Sequence, residues 1–421
     1  MTETPLRVAL ISEHANPLAP PGGVDAGGQN VHVEALATAL ARRGHDVTVY
    51  TRRDGPHLPL EVDAPGGFRV VHVPAGPPER IPRDGLLPYM GAFGQWLAEQ
   101  WTTGPAPDAV HTHFWMSGVA ALEAAKAYRG RPVPLVSTFH ALGTVKRRMQ
   151  GAADTSPADR IVLETMVARS ADRVIAQCAD EVAELLRMGV RRERIDVVPS
   201  GVDTDVFHPA EGGPSTRPDG RPARLLSVGR LVERKGYADI VQTLRTLPDA
   251  ELLIAGGPAE GDLRSDPEAQ RLVRTAAEYG VGDRLRLLGA VDRWRMPALY
   301  QAVDVVICAP AYEPFGMTPL EAMACGTPVV AYAVGGLTDS VIHGTTGLLV
   351  EPRNVAQLSE SIGSLLDDES LRYAYATGGL RRVRGRYPWT RIAEQVEVVY
   401  RSVRAPEPAA GLPFRRLAGV R

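Results

Sequence analysis

The sequence is poor in cysteine, in aromatic side chains and in net charge. Of its 421 residues three are cysteines, Cys178, Cys308 and Cys325, and 6% are aromatic. Thiols so few and so far apart form neither a disulfide framework nor a metal-binding cluster, so we expect reduced core residues and a cytoplasmic protein. The formal net charge of −2 argues against a dedicated nucleic-acid-binding protein.

Long hydrophobic runs are absent as well. No stretch approaches the ~20 apolar residues that a membrane-spanning helix needs, and the N-terminus does not combine a basic segment with a long apolar run. We therefore expect neither an integral membrane segment nor a signal peptide. The 44% of apolar and 23% of charged residues are typical of a globular protein, and the length suits two domains.

What the chain does contain is a repeated alternation of short apolar runs and helical periodicity. Residues 6–12 (LRVALIS) predict a strand, a glycine-rich loop follows, and residues 30–43 predict a helix before the next strand at 46–50. A proline- and glycine-rich stretch at 199–222 predicts a linker, after which the alternation resumes at 224–229. Two such halves predict an α/β protein with two doubly wound, Rossmann-like sheets that face each other across a cleft.

Further elements follow the same alternation. Strands are predicted at 69–73, 108–112, 134–139, 173–177, 195–198, 251–255, 285–288, 304–308, 328–331 and 347–350. A final amphipathic helix is predicted at 389–404.

The most informative stretch reads AYEPFGMTPLEAMACG. It suggests a strand end, a turn and a short helix, with Thr318 as the N-cap, Pro319 as the first helical residue and Gly326 as the residue that ends it. The backbone N–H groups of Gly316, Met317 and Thr318 would then lie unpaired at the positive helix end, where an anion binds.

Two carboxylates flank that turn. Glu313 precedes it and Glu321 lies in the first helical turn, with seven residues between them, so we expect both to face one small cavity. Thr318 and Glu321 also have the spacing of a capping box, in which Glu321 would only close the helix end. On the residues alone both interpretations stay open.

The spacing of the two glutamates, with Pro-Phe-Gly after the first, resembles the retaining nucleotide-sugar glycosyltransferases of the GT-B fold, in the large family four. The resemblance implies that Glu313 and the turn amides hold hydroxyls of the donor sugar and that Glu321 holds the ribose. It also implies an acceptor domain over residues 1–205, joined by a returning helix at 388–404, and a donor domain over residues 206–387. The other donor contacts that it implies are Gly27, Gly28, Val291 (near the base), Phe315, Gly316, Met317 and Thr318.

Two cations and a glycine pair suit the phosphates of such a donor. Arg230 and Lys235, in GRLVERKG, follow the first strand of the second half and can neutralise a departing diphosphate without a metal, although a solvated basic loop would look the same. Gly27 and Gly28 allow a phosphate to approach the backbone closely, although they also suit an ordinary flexible loop. In the family that this sequence resembles, the matching cations bind the two phosphates and the second glycine amide meets the diphosphate.

His140 ends a predicted strand, and the run TFHALGTVKR resembles the catalytic histidine segment of the family. The resemblance implies that His140 positions the substrates more than it acts as a base. His111 and His113, in HTHFW, are expected to point to opposite faces of their strand, so no metal pair is expected there. Dinucleotide and P-loop patterns are missing, and the Asp-x-Asp motif at Asp203 and Asp205 lies in the linker, so we predict neither a metal nor a cofactor.

The acceptor site rests on resemblance alone. The loop SEHANPLAPPGGVDAGGQN is similar to that of the subgroup that includes sucrose synthases, sucrose-phosphate synthases and the mycothiol-pathway inositol-phosphate glycosyltransferase, in which the residues matching His14 and Asn30 contact substrate. Arg83, Lys146 and Arg160 supply cations from segments predicted to line the cleft, and Lys146 and Arg160 match residues close to an acceptor phosphate. The alternative is a charged surface face.

The acceptor itself stays open because the sequence departs from the inositol-phosphate enzyme. Phe114 stands where that enzyme has a tyrosine, Ala141 where it has a threonine, and Arg83 where it has a lysine. Two acceptor hydroxyl contacts would therefore be lost.

The resemblance implies a retaining, metal-independent hexosyltransferase. It would move a sugar from a nucleotide diphosphate sugar, by preference a UDP-sugar, to a small polar sugar or cyclitol acceptor, phosphorylated or not. Stabilisation of the departing diphosphate should be the largest catalytic effect. The alternatives are a GT-B nucleotide-sugar 2-epimerase and a non-catalytic sugar-nucleotide-binding subunit, and a homodimer is left open.

Overall fold

The computed structural model describes residues 4–19, 27–211, 213 and 220–403. The first of its two sheets has eight strands, ordered β3-β4-β2-β1-β5-β6-β7-β8, in which all neighbours run parallel except β3 and β4. In chain order these are β1 (Arg7–Ile11), β2 (Asp46–Arg52), β3 (Glu61–Asp63), β4 (Arg69–Val73), β5 (Ala109–His113), β6 (Leu135–Thr138), β7 (Arg173–Ala176) and β8 (Ile195–Val197).

The second sheet has six strands, all parallel, in the order β11-β10-β9-β12-β13-β14. They are β9 (Ala223–Val228), β10 (Ala250–Ala255), β11 (Leu285–Gly289), β12 (Val305–Cys308), β13 (Val329–Tyr332) and β14 (Gly347–Val350). In both sheets the first strand lies in the middle and the order reverses beside it, which is the doubly wound arrangement. The predicted fold class is therefore confirmed.

Helices of the first half lie between its strands. They are α1 (Gly28–Arg42), α2 (Met90–Thr103), α3 (Trp115–Ala127), α4 (Gly143–Gln150), α5 (Arg160–Ser170) and α6 (Ala179–Arg187). The second half contains α7 (Tyr237–Thr243), α8 (Pro267–Glu278), α9 (Met296–Gln301), α10 (Met317–Ala324), α11 (Leu337–Ser340), α12 (Val355–Asp367), α13 (Glu369–Arg386) and α14 (Trp389–Val403). No helix within these described ranges is both long and apolar enough to cross a membrane.

Local sequence explains these elements well, as α8 shows. Asp266 is the N-cap and its carboxylate accepts a hydrogen bond from the N–H of Ala269 at 2.8 Å, while Pro267 occupies the first helical position. Ala269, Leu272 and Ala276 are buried, at the spacing of one helix face. The helix therefore covers the sheet with an apolar stripe and exposes its charged side.

The points where the strand order reverses lie between β1 and β5 in the first sheet and between β9 and β12 in the second. Ligands of open parallel sheets bind beyond the carboxyl ends of the strands at such points. The segments placed there are those that follow Ile11, His113, Val228 and Cys308. They carry most of the residues singled out from the sequence.

Helix α14 returns to the first half. Its Ile392, Val396 and Tyr400 belong to the same buried cluster as residues of β1, β2 and α1. The Glu397 carboxylate accepts hydrogen bonds from Arg43 Nε at 2.7 Å and from Arg401 within α14. The domain boundaries at 205/206 and 387/388 stay a prediction; residue 404 and part of the 199–222 linker lie outside the described residues.

Candidate functional site

A cavity of about 370 Å³ lies between the carboxyl ends of the two sheets. Predicted site residues from both halves line it together: Gly27, Gly28, His140, Arg230, Lys235, Glu313, Phe315, Gly316, Met317 and Thr318. Cations of one half thus face the glycine backbone of the other, as a bound diphosphate would require.

Two glycines permit the close approach that forms this cavity. A Cβ at Gly236, where φ is +69°, would lie 1.9 Å from the carbonyl oxygen of Ala309 at the end of β12. Glycine at this position therefore lets the loop that carries Lys235 pack against the segment that carries Glu313. A Cβ at Gly28 would lie 3.3 Å from Cε of Met317, so the start of α1 meets the start of α10 across the cleft.

Lys235 and Glu313 form an ion pair in the cavity. Lys235 Nζ lies 2.6 Å from Glu313 Oε2, and the two side chains are 18% and 17% exposed. Burial by itself would raise the pKa of Glu313, but the combined attraction of Lys235, Arg234 and Arg230 lowers it below its ordinary value. Glu313 is therefore a charged hydrogen-bond acceptor at neutral pH.

The helix that follows Glu313 begins earlier than predicted. Its N-cap is Gly316, with φ +86°, and α10 starts at Met317, so the prediction of Thr318 as N-cap was wrong. A Cβ at Gly316 would lie 2.6 Å from Cδ2 of Leu337, which explains why the sharp turn falls at a glycine. Gly326, with φ +77°, follows the helix end as predicted. The first-turn N–H groups of Met317 and Thr318 have no carbonyl one turn back to pair with.

Glu321 does not cap this helix. Its Oε2 accepts a hydrogen bond from the hydroxyl of Tyr300 at 2.8 Å, and Arg293 Nη1 lies 3.8 Å from Oε1. Burial raises the pKa of Glu321, and Arg293 opposes that shift. Glu321 is not among the described residues that line the cavity, whereas Glu313 is. The Glu321 side chain contacts Tyr300 on α9 instead. The capping-box interpretation was therefore wrong, whereas a donor contact of Glu321 stays a prediction.

His140 follows β6 in a left-handed backbone conformation, with φ +59°. Its Nε2 is 3.0 Å from Nδ1 of His113, and the neighbouring His32 bonds Ser200 Oγ at 2.9 Å. Burial, together with the nearby rings, lowers the pKa of His140 well below its ordinary value, and burial lowers that of His32 to about 3. The imidazoles in this part of the cavity are therefore neutral at pH 7.

The expectation that His111 and His113 point to opposite faces was wrong. Residues two apart on a strand share a face, and the ring centroids of this pair lie 4.2 Å apart. Ligand atoms of His32, His113 and His140 all lie within 4.8 Å of one another, and imidazole is a ligand type that transition metals accept. The argument that His111 and His113 lie on opposite strand faces therefore cannot exclude a metal. A metal-free site stays a prediction.

Most of the predicted acceptor residues gather around one aromatic ring. The guanidinium carbons of Arg83 and Arg160 lie 5.5 and 5.1 Å from the centroid of Phe114. The ring of His14 meets the same phenyl group edge-on, with 4.9 Å between centroids. Phe114 itself has φ +85°, a strained value for a non-glycine residue.

Arg160 also donates to the carbonyl of Ala141 and pairs with Glu164, and the remaining predicted contacts are likewise engaged within the chain. Lys146 Nζ pairs with Asp154 at 3.0 Å. The Asn30 side chain accepts a hydrogen bond from the N–H of Gly27 and donates one to the carbonyl of Asn16, and so helps to start α1.

Val291 lies apart from both groups. It packs against the apolar cluster of the second half and is not among the described residues that line the cavity.

Among the lining residues that were missed from the sequence, three carry polar or charged side chains of interest. Arg234 adjoins Lys235 and helps to lower the pKa of Glu313, while His32 and Gln177 come from α1 and from the end of β7. Arg234 could have been found from its place beside Lys235 in the basic loop. Gln177 carries no local signal, because its contact with the cavity arises only from the strand order.

Sequence comparisons identify the family. The profile described as Glycosyltransferase Family 4 matches residues 26–206, and the profile described as Glycosyl transferases group 1 matches residues 214–381. D-inositol 3-phosphate glycosyltransferases from Xylanimonas cellulosilytica and Mycolicibacterium smegmatis are each 37% identical, over 96% and 100% of this chain and 98% of theirs. The chain belongs to the group 1 glycosyltransferases.

Solved structures share the fold of this chain. Sucrose-phosphate synthase from Thermosynechococcus elongatus has a TM-score of 0.84 and 31% identity, covering 94% of this chain and 98% of its own. Anabaena HepE in complex with UDP and glucose has a TM-score of 0.70 at 20% identity, over 94% of this chain and 100% of its own. As a group 1 glycosyltransferase the chain has the GT-B fold, and the family predicted from the two glutamates and Pro-Phe-Gly is confirmed.

Proposed function

We propose that this glycosyltransferase moves a hexose-type sugar from a UDP-sugar to a small polar sugar or cyclitol acceptor, with retention of configuration and without a metal. The observation that carries the proposal is the composition of the cavity between the sheets. Arg230, Arg234 and Lys235 line it from one side, and the backbone of Gly27 and Gly28 lines it from the other. That combination suits a diphosphate whose charge grows as the sugar leaves.

Donor binding would rearrange the Lys235–Glu313 pair. A diphosphate attracts Lys235, and Glu313 then becomes free to accept hydrogen bonds from sugar hydroxyls. The N–H groups at the start of α10 add positive potential on the same side of the cavity. Catalysis would then rest chiefly on stabilising the leaving group, with His140 positioning the substrates through its neutral ring or its carbonyl.

Retention is best explained by substitution on one face of the sugar. Among the described residues that line the cavity, Glu313 is the only carboxylate, and it is paired with Lys235. A double displacement needs a carboxylate nucleophile opposite the leaving group, and the described lining offers no second one. The departing phosphate oxygen would instead take the proton of the attacking hydroxyl.

The choice of UDP and of the acceptor class draws on the related proteins. HepE has been solved with UDP-glucose, and the relatives above are named for inositol 3-phosphate. In this chain Arg83 and Arg160 flank Phe114, and Lys146 adds a cation nearby that Asp84 and Asp154 partly neutralise. We therefore place the acceptor beside Phe114.

A donor and acceptor matrix tests the proposal. UDP-, ADP- and GDP-linked glucose and N-acetylglucosamine are incubated with inositol 3-phosphate, inositol, hexose phosphates and free hexoses, and nucleoside diphosphate release is measured. Acceptor-dependent release of UDP, with an α-linked product by NMR from an α-linked donor, is expected in EDTA as well as in its absence. Epimerised donor without release, or UDP-sugar binding without turnover against every acceptor, would overturn the proposal.

A further inference from the structure

A buried glutamate and a histidine adjoin each other at the end of β1. The Glu13 side chain is fully buried, and its Oε1 lies 2.7 Å from Nδ1 of His14. Its other carboxylate oxygen accepts a hydrogen bond from the hydroxyl of Ser117, and the Ser117 oxygen accepts the backbone N–H of Glu13 at 3.1 Å. Both oxygens of the carboxylate are therefore held in place.

This contact decides which ring nitrogen of His14 carries the proton. A carboxylate only accepts hydrogen bonds, so Nδ1 of His14 must donate, and Nε2 is left with a lone pair. Within the described ranges of the chain, the His14 ring makes no hydrogen bond other than the one to Glu13. Nε2 is thus available as an acceptor for a ligand.

The ring of His14 lies on the acceptor side of the cleft. It meets Phe114 edge-on at 4.9 Å, and Phe114 is flanked by Arg83 and Arg160. His14 is also close enough to His140 to help lower the pKa of that residue, and His140 lines the cavity between the sheets. His14 therefore lies close to the first-half side of the cavity, beside the position proposed for the acceptor.

A fully buried carboxylate with so few partners needs an explanation. Burying a charged group is unfavourable unless it is paired, and His14 is the one ionisable partner of Glu13 among the described residues. In catalytic sites a carboxylate behind an imidazole fixes the ring's tautomer and orientation. Glu13 and Ser117 together provide that arrangement here.

We propose that Glu13 is a positioning residue for the acceptor: it holds His14 in the tautomer whose Nε2 accepts a hydrogen bond from an acceptor hydroxyl. The inference rests on the proposed function for the identity of the acceptor as a polyhydroxylated molecule. Glu13 acts only through His14 and does not touch either substrate.

Kinetics of Glu13→Met test the proposal. Methionine has a similar length and is apolar, so it fills the buried site, but it cannot orient His14. We expect kcat/KM for the acceptor to fall about 10- to 100-fold, the usual effect of leaving one buried polar group misdirected, while the donor KM and the Kd for UDP do not change. Glu13→Gln should lose less, because its amide oxygen can still accept from Nδ1.

Two further variants separate positioning from general stability. Ser117→Ala removes the other partner of the same carboxylate, and thermal melting of this variant and of Glu13→Met reports damage to the fold separately from acceptor kinetics. In a His14→Ala background Glu13→Met should cause no additional loss, because Glu13 would have nothing left to position. Equal losses in both backgrounds, or unchanged acceptor kinetics in Glu13→Met, would overturn the proposal.

A measurement without turnover keeps this test independent of the proposed function. NMR of ¹⁵N-histidine-labelled protein, with His14 assigned from His14→Gln, reports the protonated nitrogen directly. We expect the proton on Nδ1 in the wild type and a changed tautomer ratio in Glu13→Met. A proton found on Nε2 refutes the positioning role even if transfer is observed, whereas wild-type protein without transfer activity refutes only the proposed function.

Discussion

Replacing Lys235 by methionine is the most direct test of the donor site. The ammonium group lies 2.6 Å from Glu313, in a pair whose side chains are less than one fifth exposed, 18% and 17%. Methionine keeps the length and the apolar stem of the side chain but removes its charge. Its effect therefore reports the interaction of the charge with a bound diphosphate.

The expected magnitude follows from the geometry. Two unit charges about 4 Å apart interact by ~4 kcal/mol at an effective dielectric constant of about 20. The donor cannot gain all of this, because Lys235 must first leave Glu313, and because Arg230 and Arg234 still face the cavity. We expect a net loss of about 2–3 kcal/mol, which is roughly 30- to 150-fold in the Kd for UDP.

Isothermal titration calorimetry with UDP measures this loss. Lys235→Arg should retain most of the affinity, since it keeps the charge. Lys126→Met is the matched control, because Lys126 is 67% exposed and pairs with Glu123 on the surface of α3, where such pairs contribute little. If Lys235→Met binds UDP as tightly as the wild type, Lys235 does not face the diphosphate and the assignment of the donor site is wrong.

The same variant should also change the protonation of Glu313. Burial opposes its charge, and Lys235 provides the largest attraction that lowers its pKa. Without that attraction Glu313 takes up a proton at a higher pH. In the wild type its lowered pKa stabilises the folded protein at pH values above the pKa of this carboxyl in the unfolded chain, and this contribution becomes smaller in the variant. The pH at which UDP-sugar affinity declines should therefore rise in Lys235→Met.

Three further predictions concern other parts of the molecule. The family resemblance implies that Glu321 holds the ribose, so Glu321→Ala should weaken UDP binding about tenfold or more, as expected for losing a hydrogen bond to a charged group. Unchanged affinity by calorimetry would mean that Glu321 serves only Tyr300. Asp339→Ala removes a carboxylate that accepts a hydrogen bond from the N–H of Ala179 at 2.5 Å, one of the contacts that join the two halves. Small-angle scattering of the variant without ligand should therefore show a larger radius of gyration than that of the wild type. An identical scattering profile would contradict this prediction. Glu181→Gln should stabilise the protein above pH 7 by roughly 2 kcal/mol. Burial raises the pKa of Glu181 to about 7, whereas in the unfolded chain this carboxyl loses its proton near pH 4.5. Above pH 7 the folded wild type must therefore hold a buried charge that glutamine does not carry. The gain in unfolding free energy over the wild type should shrink toward pH 5. Urea unfolding of both proteins at pH 5 and pH 8 measures it, and an equal gain at the two pH values would contradict the reasoning.

The sheets could be predicted because strands of a covered parallel sheet are buried on both faces and read as continuous apolar runs. β5 and β13 are buried along their whole length, and every predicted strand lies within two residues of its observed bounds. β3 escaped prediction because it is three residues long and none of them is buried. It carries no hydrophobic pattern from which a strand could be inferred.

The meeting of Lys235 with Glu313 could also be predicted, since both follow neighbouring strands whose carboxyl ends share one edge of the sheet. The partner of Glu321 could not, because Tyr300 lies on another helix and no spacing rule connects the two. Thr318 has the right chemistry for an N-cap, but the left-handed turn at Gly316 starts the helix before it. His111 and His113 were assigned to opposite strand faces because the two-residue strand period was applied wrongly. The sequence alone was sufficient to place them on one face.

Helix α14 has a consequence for how the protein is made. Ile392 and Tyr400 fill the core of the first half, against strands that leave the ribosome long before α14 does. The apolar surface of β1 and α1 that α14 covers therefore stays exposed until the second half has been translated. We expect the core of the first half to be completed only after that point.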